Sequence, residues 1–229
     1  MNIIKFTKKG RFHRLNKMKN EDVIRCKEND RFSIIALSDG ASSCKNSKTG
    51  ATVICREIVE FLSKNALVFY KYSGTKTAYL ILEQLLYRLK LIAVKQNEDL
   101  YSYAATLVFC CIDKVANKLL LFNLGDGAVF EYLGDEHKTV KPILPPKRIE
   151  KKYTPLVTSD NAYRVADVKI IDAKPNQSIL ICSDGTLKEF NSAIDENVEL
   201  DVEKNCENLS RKIKASNNFD DCSFVLIKT

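Results

Sequence analysis

Three short apolar runs follow one another in the middle of the chain, and their short connections limit the fold more than any other feature. The runs are Ala104–Ile112, Lys118–Leu124 and Ala128–Leu133, joined by Asp113–Asn117 and Gly125–Gly127. Two parallel strands need a crossover of about a dozen residues or more, whereas antiparallel strands can be joined by a tight turn. We therefore predict a meander of antiparallel strands with a hairpin at each connection.

The rest of the chain alternates between further strand candidates and helices. The other strand candidates are Phe32–Leu37, Val165–Ile171, Ser178–Cys182 and Ser223–Ile227. Apolar side chains at helical spacing predict two long helices, near Thr49–Asn65 and Thr77–Gln96, and a weaker one near Asp201–Lys214. Because long amphipathic helices bury their apolar side against sheets, the sequence predicts a layered α+β fold.

One segment, Lys138–Asp160, has no clear helix or strand pattern and contains Pro142, Pro145, Pro146 and Pro155. Strand and helix candidates resume after it, so we predict a surface loop or flap rather than a linker between domains. The length of 229 residues suits one domain, and we predict that residues 1–229 form it.

Composition narrows the cellular setting and the kind of metal that the chain could bind. No run approaches the roughly 18 apolar residues of a membrane span, and the start of the chain turns basic after a few apolar residues, unlike a secretory signal. We therefore expect a cytoplasmic protein without a membrane partner. The eight cysteines form no C-x-x-C pair, and four of them lie inside apolar runs, which indicates reduced core thiols at Cys110, Cys111, Cys182 and Cys222. With two histidines, zinc has few ligands, so a bound metal would need oxygen ligands, as magnesium and manganese do.

The net charge of +7 raises the question of nucleic-acid binding. The basic residues are spread along the chain, their short clusters are not interleaved with stacking aromatics, and no helix-turn-helix or zinc-finger pattern occurs. We expect no specific nucleic-acid partner. A basic surface also suits a phosphorylated substrate.

Three apolar runs end in Asp-Gly pairs, which are Asp39–Gly40, Asp126–Gly127 and Asp184–Gly185. Asp-Gly is also a common turn sequence, and that alternative is strongest for Asp126, which lies between two predicted strands. A carboxylate at a strand end, followed by glycine, can instead present oxygen ligands to a hard cation. Two of the three pairs share the pattern apolar run, Ser-Asp-Gly, which favours a common role.

Two further acidic clusters lie near the ends of the chain. Asn20-Glu21-Asp22 precedes the first predicted strand, and Asp220-Asp221 precedes the last one. Each cluster could be a helix cap, a turn or a solvated face. Together with the Asp-Gly pairs they supply enough carboxylates for a two-metal centre.

The order and spacing of these motifs resemble those of the metal-dependent protein phosphatases of type 2C, in particular their compact bacterial members. The matching elements are KMKNED (17–22), ALSDGASS (36–43), YAATLVF (103–109), NLGDGAVF (123–130), ICSDGTL (181–187) and FDDCSFVLI (219–227). The resemblance implies an α-β-β-α sandwich of two mainly antiparallel sheets flanked by helices. It also implies hydrolysis of phosphoserine and phosphothreonine in proteins by a hydroxide that bridges two Mn²⁺ or Mg²⁺ ions, with a Ser/Thr kinase as probable partner.

The resemblance assigns roles to individual residues. The metal ligands that it implies are Glu21, Asp22, Asp39, Gly40, Asp126, Asp184 and Asp220. Asp39 would bridge both ions and the Gly40 carbonyl would be a further ligand, while Asp184 and Asp220 would complete the first ion's ligands. Glu21 would hold the second ion with Asp22 as its acidic neighbour. Asp126, with Asp184, matches the position of a third, looser ion in some members.

The chain also departs from the family at several positions. Lys17 stands where the family often has an arginine that grips the substrate phosphate, so the bidentate contact is replaced by a point charge. With Asp39 and Asp184, it completes the predicted catalytic residues. No histidine follows Asp39-Gly40, which leaves the general acid unassigned, and Asp221 replaces an asparagine. The alternative function is an inactive module of the same fold that binds phosphoproteins.

Overall fold

Two five-stranded sheets form the centre of the protein in the computed structural model, which describes residues 2–133, 139–147, 153–188 and 202–228. The strands in chain order are β1 (Asn2–Lys8), β2 (Val23–Glu28), β3 (Phe32–Ser38), β4 (Leu107–Asp113), β5 (Lys118–Leu124), β6 (Ala128–Leu133), β7 (Thr139–Leu144), β8 (Asp167–Asp172), β9 (Gln177–Cys182) and β10 (Cys222–Lys228). One sheet has the order β1-β10-β9-β6-β7 and the other β2-β3-β4-β5-β8. Neighbouring strands are antiparallel throughout.

The helices lie outside the two sheets. Their bounds are α1 (Arg11–Leu15), α2 (Ser47–Phe69), α3 (Gly74–Gln96) and α4 (Val202–Ala215). Helices α2 and α3 pack on the outer face of the β2-β3-β4-β5-β8 sheet, where Ile54, Leu85 and Phe122 belong to one buried cluster. Helix α4 covers the other sheet through Leu209 and Ile213. Within the described ranges, no helix combines the length and apolar character that a membrane crossing requires.

The apolar core between the sheets explains why both sheets stay together. Ile35 and Val108 from one sheet pack against Ile181 and Val225 from the other, and all four are buried. Strands β4 and β9 are buried at every position, as expected for strands covered on both faces. The layers therefore run helix, sheet, sheet, helix, and the predicted α-β-β-α sandwich is confirmed.

Most of the predicted elements are confirmed with small shifts at their ends. β5 and β6 have the predicted bounds, and α3 begins at Gly74 instead of Thr77 because Ser73 caps it, with its side chain accepting a hydrogen bond from the Lys76 amide. Four cysteines predicted to be reduced core residues, Cys110, Cys111, Cys182 and Cys222, are buried and free. Strands β1 and β2 and the short helix α1 were not predicted.

The prediction of two hairpins in the middle of the chain is half wrong. Asp113–Asn117 does join neighbouring strands, since β4 pairs with β5. Gly125–Gly127 does not, because β5 belongs to one sheet and β6 to the other. The second connection therefore carries the chain between the sheets, and Gly125 adopts a φ of 125° that favours glycine.

The prediction of an irregular loop or flap over Lys138–Asp160 is also wrong in part. Residues Thr139–Leu144 form β7, which pairs with β6 at the edge of its sheet. A register shift near Val129 accommodates Pro142, which has no amide hydrogen for a regular ladder. Within the same segment, residues 138 and 148–152 lie outside the described part of the chain.

Candidate metal centre

A cavity of about 410 Å³ opens at one end of the sandwich, where strands of both sheets terminate. Its lining includes the five carboxylates of Asp39, Asp126, Asp184, Asp220 and Asp221, together with the hydroxyl-bearing residues Ser42, Ser43, Thr106 and Thr154. The sequence singled out all five acidic residues, and the fold brings them together from four separate motifs.

The two Ser-Asp-Gly motifs meet because their strands end on the same side of the molecule. Asp39 directly follows β3, and its amide donates to Thr106 Oγ1 over 3.0 Å. Asp184 follows β9 and begins a helical segment over residues 184–188. Because β3 and β9 belong to opposite sheets, the cavity lies between the layers of the sandwich.

Asp126 reaches the same cavity because it lies where the chain crosses between the sheets. A hairpin within one sheet would not place its carboxylate between the layers. Its Oδ2 accepts a hydrogen bond of 2.9 Å from Thr154 Oγ1. Asp126–Gly127 is therefore not a hairpin turn, since β5 and β6 belong to different sheets, while a role of Asp126 in metal binding stays a prediction.

Close backbone contact brings the last acidic cluster next to Asp184. A Cβ added to Gly185 would lie 2.1 Å from the Asp221 carbonyl oxygen, so only glycine fits without a shift of the backbone. This approach places Asp184 beside Asp220. On the other side of the cavity, Gly40 forms an isolated bridge with Ala105, which holds the Asp39–Gly40 backbone.

Glu21 and Asp22 are buried next to the cavity, each about 5% exposed. Ser47 Oγ, at the start of α2, donates to Glu21 Oε1 over 2.7 Å. Ser183 Oγ donates to Asp22 Oδ2 over 3.0 Å. Helix α2 and the Ser-Asp-Gly motif after β9 therefore both orient this acidic pair.

Asp221 connects the N-terminal segment to the site. Its Oδ1 accepts from the Gly10 amide and its Oδ2 from the Glu21 amide, both over 2.6 Å. Oδ2 also lies 2.9 Å from His13 Nδ1. All of these contacts are buried, so the Asp221 carboxylate positions the backbone that carries Glu21.

His13 lines the cavity, although the sequence suggested no role for it. The ring is buried on α1 between two acids, with Nε2 3.3 Å from Glu21 Oε2 and Nδ1 beside Asp221. α1 has only five residues and no apolar repeat, so sequence periodicity could not reveal it. Lys188 was missed too, and its four-residue spacing from Asp184 was the available signal.

Burial, together with neighbouring negative charges, raises the pKa values of three carboxylates at the site. Burial raises the pKa of Asp22 from 3.8 to about 7, and the charge of Asp221 adds to this, while Ser223 and Ser183 hydroxyls oppose it. The pKa of Asp39 is raised well above its ordinary value by burial and then by the charges of Asp22, Asp184 and Asp126. Burial, followed by the charge of Asp126, also raises the pKa of Asp184.

The carboxylate oxygens are suitable ligands for hard divalent cations, but their side chains do not converge on one ion position. No three His, Cys, Asp or Glu side chains among the described residues already surround one ion position. However, Asp22 Oδ1 is buried and accepts no hydrogen bond. A buried carboxylate oxygen without a donor favours a cation nearby.

Lys17 is separated from this group. Its side chain is exposed, it does not line the cavity, and its backbone has a φ of 53° in the turn after α1. The predicted contact with a substrate phosphate therefore stays a prediction. Two other described lysines contact the acidic residues. Lys188 forms ion pairs with Asp184 and Asp220. Lys48 Nζ donates a hydrogen bond of 2.9 Å to the Asp22 carbonyl oxygen.

Solved structures with the same fold include bacterial phosphatases. The serine/threonine phosphatase Stp1 from Staphylococcus aureus is 15% identical, with a TM-score of 0.72 over 100% of this chain and 95% of that one. RsbX in complex with magnesium is 13% identical, with a TM-score of 0.64 over 99% of this chain and 94% of that one. The phosphatase domain of SpoIIE from Bacillus subtilis is 15% identical, with a TM-score of 0.58 and coverage of 99% and 92%. At these identities the similarity shows the fold.

The sequence itself carries the family relationship. No curated protein sequence matches the chain at a significant level. The family model for protein phosphatase 2C matches residues 9–216, which include every motif from KMKNED to ICSDGTL. This match covers most of the chain and agrees with the fold, so the protein belongs to the protein phosphatase 2C family.

Proposed function

We propose that the protein is a metal-dependent phosphatase that hydrolyses phosphoserine and phosphothreonine in proteins. The observation that carries this proposal is the convergence of Asp39, Asp126, Asp184 and Asp220 on one cavity between the sheets. Burial raises the pKa values of Asp39 and Asp184, and repulsion by neighbouring carboxylates raises them further, so ionised carboxylates are unfavourable here. A fold that nevertheless assembles them is typical of a site that binds cations.

The roles proposed for the acidic residues follow the family. Asp39 would contact two ions, with the Gly40 carbonyl as a further ligand. Asp184 and Asp220 would complete the first ion's ligands, Glu21 with Asp22 would serve the second, and Asp126 a looser third. Bound Mn²⁺ or Mg²⁺ would activate water near neutral pH and neutralise charge on the phosphoryl oxygens.

Other residues of the chain would prepare the site for this chemistry. Ser47 and Asp221 hold Glu21 through its side chain and its amide. Ser42 and Ser43 line the cavity, and their hydroxyl groups would donate to phosphoryl oxygens. Lys17, on an exposed turn, would have to approach a bound phosphoprotein from outside the cavity.

The proposed substrate and setting follow from the chemistry of the site and from the composition. The net charge of +7 favours association with phosphorylated, acidic segments. We place the activity in the cytoplasm, in one domain over residues 1–229. A Ser/Thr kinase would supply the phosphorylated substrate.

Hydrolysis of a phosphothreonine peptide tests the proposal. Purified wild-type protein is assayed with a chelator, with Mg²⁺ and with Mn²⁺, alongside Asp184→Asn and the control Asp172→Asn. Asp172 lies on β8 and its side chain is 85% exposed, so the Asp172→Asn substitution should leave activity unchanged. We expect turnover only with metal, and a loss of about 100-fold or more in Asp184→Asn, since removing one electrostatic contact of a transition state has this size.

The main competing function is phosphoprotein binding without turnover, which the position of Lys17 outside the cavity favours. A folded wild-type protein that is inactive with both metals, yet binds the phosphopeptide better than its unphosphorylated form, would support this alternative. Circular dichroism of each sample establishes that the protein is folded.

A further inference from the structure

An ammonium group lies against two of the proposed ligands of the first metal ion. Lys188 Nζ donates to Asp220 Oδ2 and lies 3.5 Å from Asp184 Oδ2. Asp184 and Lys188 are four residues apart in the helical segment that follows β9, so their side chains lie on the same face. The lysine is thereby tethered beside the carboxylates that an ion would need.

One ammonium group is shared by two carboxylates here. A lysine side chain carries a positive charge at neutral pH, and Lys188 Nζ contacts both Asp184 and Asp220. Lys188 therefore compensates negative charge in the acidic cluster.

The same oxygen atoms cannot serve both cations fully. A divalent ion requires carboxylate oxygens at about 2.0–2.6 Å, and an ammonium group on those oxygens would lie within about 4 Å of the ion. Like charges at that separation repel. The Lys188 side chain is 54% exposed, so it is free to turn into solvent when an ion arrives.

We propose that Lys188 is an intramolecular counter-ion that competes with the first metal ion for Asp184 and Asp220, and thereby weakens the affinity of the site for divalent cations. The inference rests on the proposed metal-dependent function and adds a residue that sets the metal concentration required. Binding of the ion is then an exchange reaction, in which the ammonium is released from the two carboxylates.

Titration of metal-free protein with Mn²⁺ and Mg²⁺ by isothermal calorimetry tests this role. Lys188→Met keeps the length of the side chain and removes its charge. We expect it to bind Mn²⁺ about three- to tenfold more tightly, the range that follows from the loss of one or two partly exposed ion pairs. Lys174→Met is the matched control, because Lys174 is also 54% exposed and forms an ion pair with Glu131, away from the cavity. Its affinity should equal that of the wild type.

Unchanged or weaker Mn²⁺ binding by Lys188→Met would overturn the proposal, since weaker binding would mean that the lysine holds the carboxylates in place for the ion. Lys188→Gln provides a second neutral variant, with the same expected result, should the methionine variant not fold by circular dichroism.

Failure of this inference can be told apart from failure of the proposed function. If wild-type protein hydrolyses the phosphopeptide with metal while neither neutral variant binds Mn²⁺ more tightly, the role of Lys188 is wrong and the phosphatase stands. If the neutral variants bind Mn²⁺ more tightly while the wild type is inactive with both metals, the counter-ion role stands and the phosphatase proposal fails. Absence of any Mn²⁺ or Mg²⁺ binding by the wild type would overturn both.

Discussion

Replacing Asp22 with asparagine is expected to stabilise the metal-free protein at alkaline pH, although the side chain is buried and hydrogen-bonded. Burial raises the pKa of Asp22 from 3.8 to about 7, so the folded state holds this proton more tightly than the unfolded state. Ionisation of Asp22 therefore opposes folding. The penalty is absent below pH 4, grows between about pH 4 and pH 7, and is fully present above pH 7.

The size of the effect follows from the two pKa values of Asp22. Each pH unit between 3.8 and about 7 contributes about 1.36 kcal/mol, which gives a penalty of up to about 4 kcal/mol at pH 8. Asparagine has nearly the same volume, carries no charge and still accepts a hydrogen bond from Ser183 Oγ. The free energy of unfolding of Asp22→Asn should thus exceed that of the wild type at pH 8 and approach it at pH 4.

Urea denaturation in the presence of a chelator measures this difference at both pH values. Asp172→Asn is the control, because the Asp172 side chain is 85% exposed and the substitution should change the free energy of unfolding little at either pH. Saturating Mn²⁺ should stabilise the wild type more than Asp22→Asn. A nearby cation offsets the cost of the buried Asp22 charge, and the asparagine variant has no such charge. Equal stability of wild type and variant at pH 8, or a gap that does not depend on pH, would refute the electrostatic reasoning.

Two further substitutions test the contacts that assemble the site, both by urea denaturation. Asp221→Ala leaves the buried amides of Gly10 and Glu21 without acceptors, and should lower the free energy of unfolding by about 3 kcal/mol; a loss below about 1 kcal/mol would show that these bonds are dispensable. Gly185→Ala should cost about 2 kcal/mol, because its Cβ would lie 2.1 Å from the Asp221 carbonyl oxygen. Gly74→Ala, where the nearest atoms are 3.4 Å away, is its control, and an equal effect at both sites would contradict the steric explanation.

The elements that local sequence patterns could predict are those whose pattern is strong and repeated. β5 and β6 were predicted with their bounds because apolar, β-branched and aromatic residues end abruptly at glycine and aspartate. α2 and α3 were predicted because their apolar positions recur over several turns. β1 was missed because Asn2–Lys8 interleaves lysines with few apolar residues, and it becomes a strand by pairing with β10 from the other end of the chain.

Connections between elements were harder to predict than the elements. Gly125–Gly127 has the composition of a hairpin turn, but turn chemistry does not specify whether the next strand joins the same sheet or the facing one. In the structure β5 and β6 pair in different sheets, so tertiary packing decides this connection. The prolines of Lys138–Asp160 suggested a loop, whereas pairing with β6 made a strand of Thr139–Leu144.

By itself, the sequence determined which acidic residues stand at the ends of apolar runs, because Asp-Gly both terminates a strand and leaves a carboxylate at its end. Asp39 and Asp184 could be identified in this way without any coordinates. Only the tertiary structure decided that these carboxylates share a cavity with Asp126, and that His13 and Lys188 contact the acidic residues around it. The physical reason is that strand ends are specified by local residue patterns. The contacts that these ends make depend instead on how two sheets pack and on groups about 200 residues apart, such as the Glu21 amide and the Asp221 carboxylate.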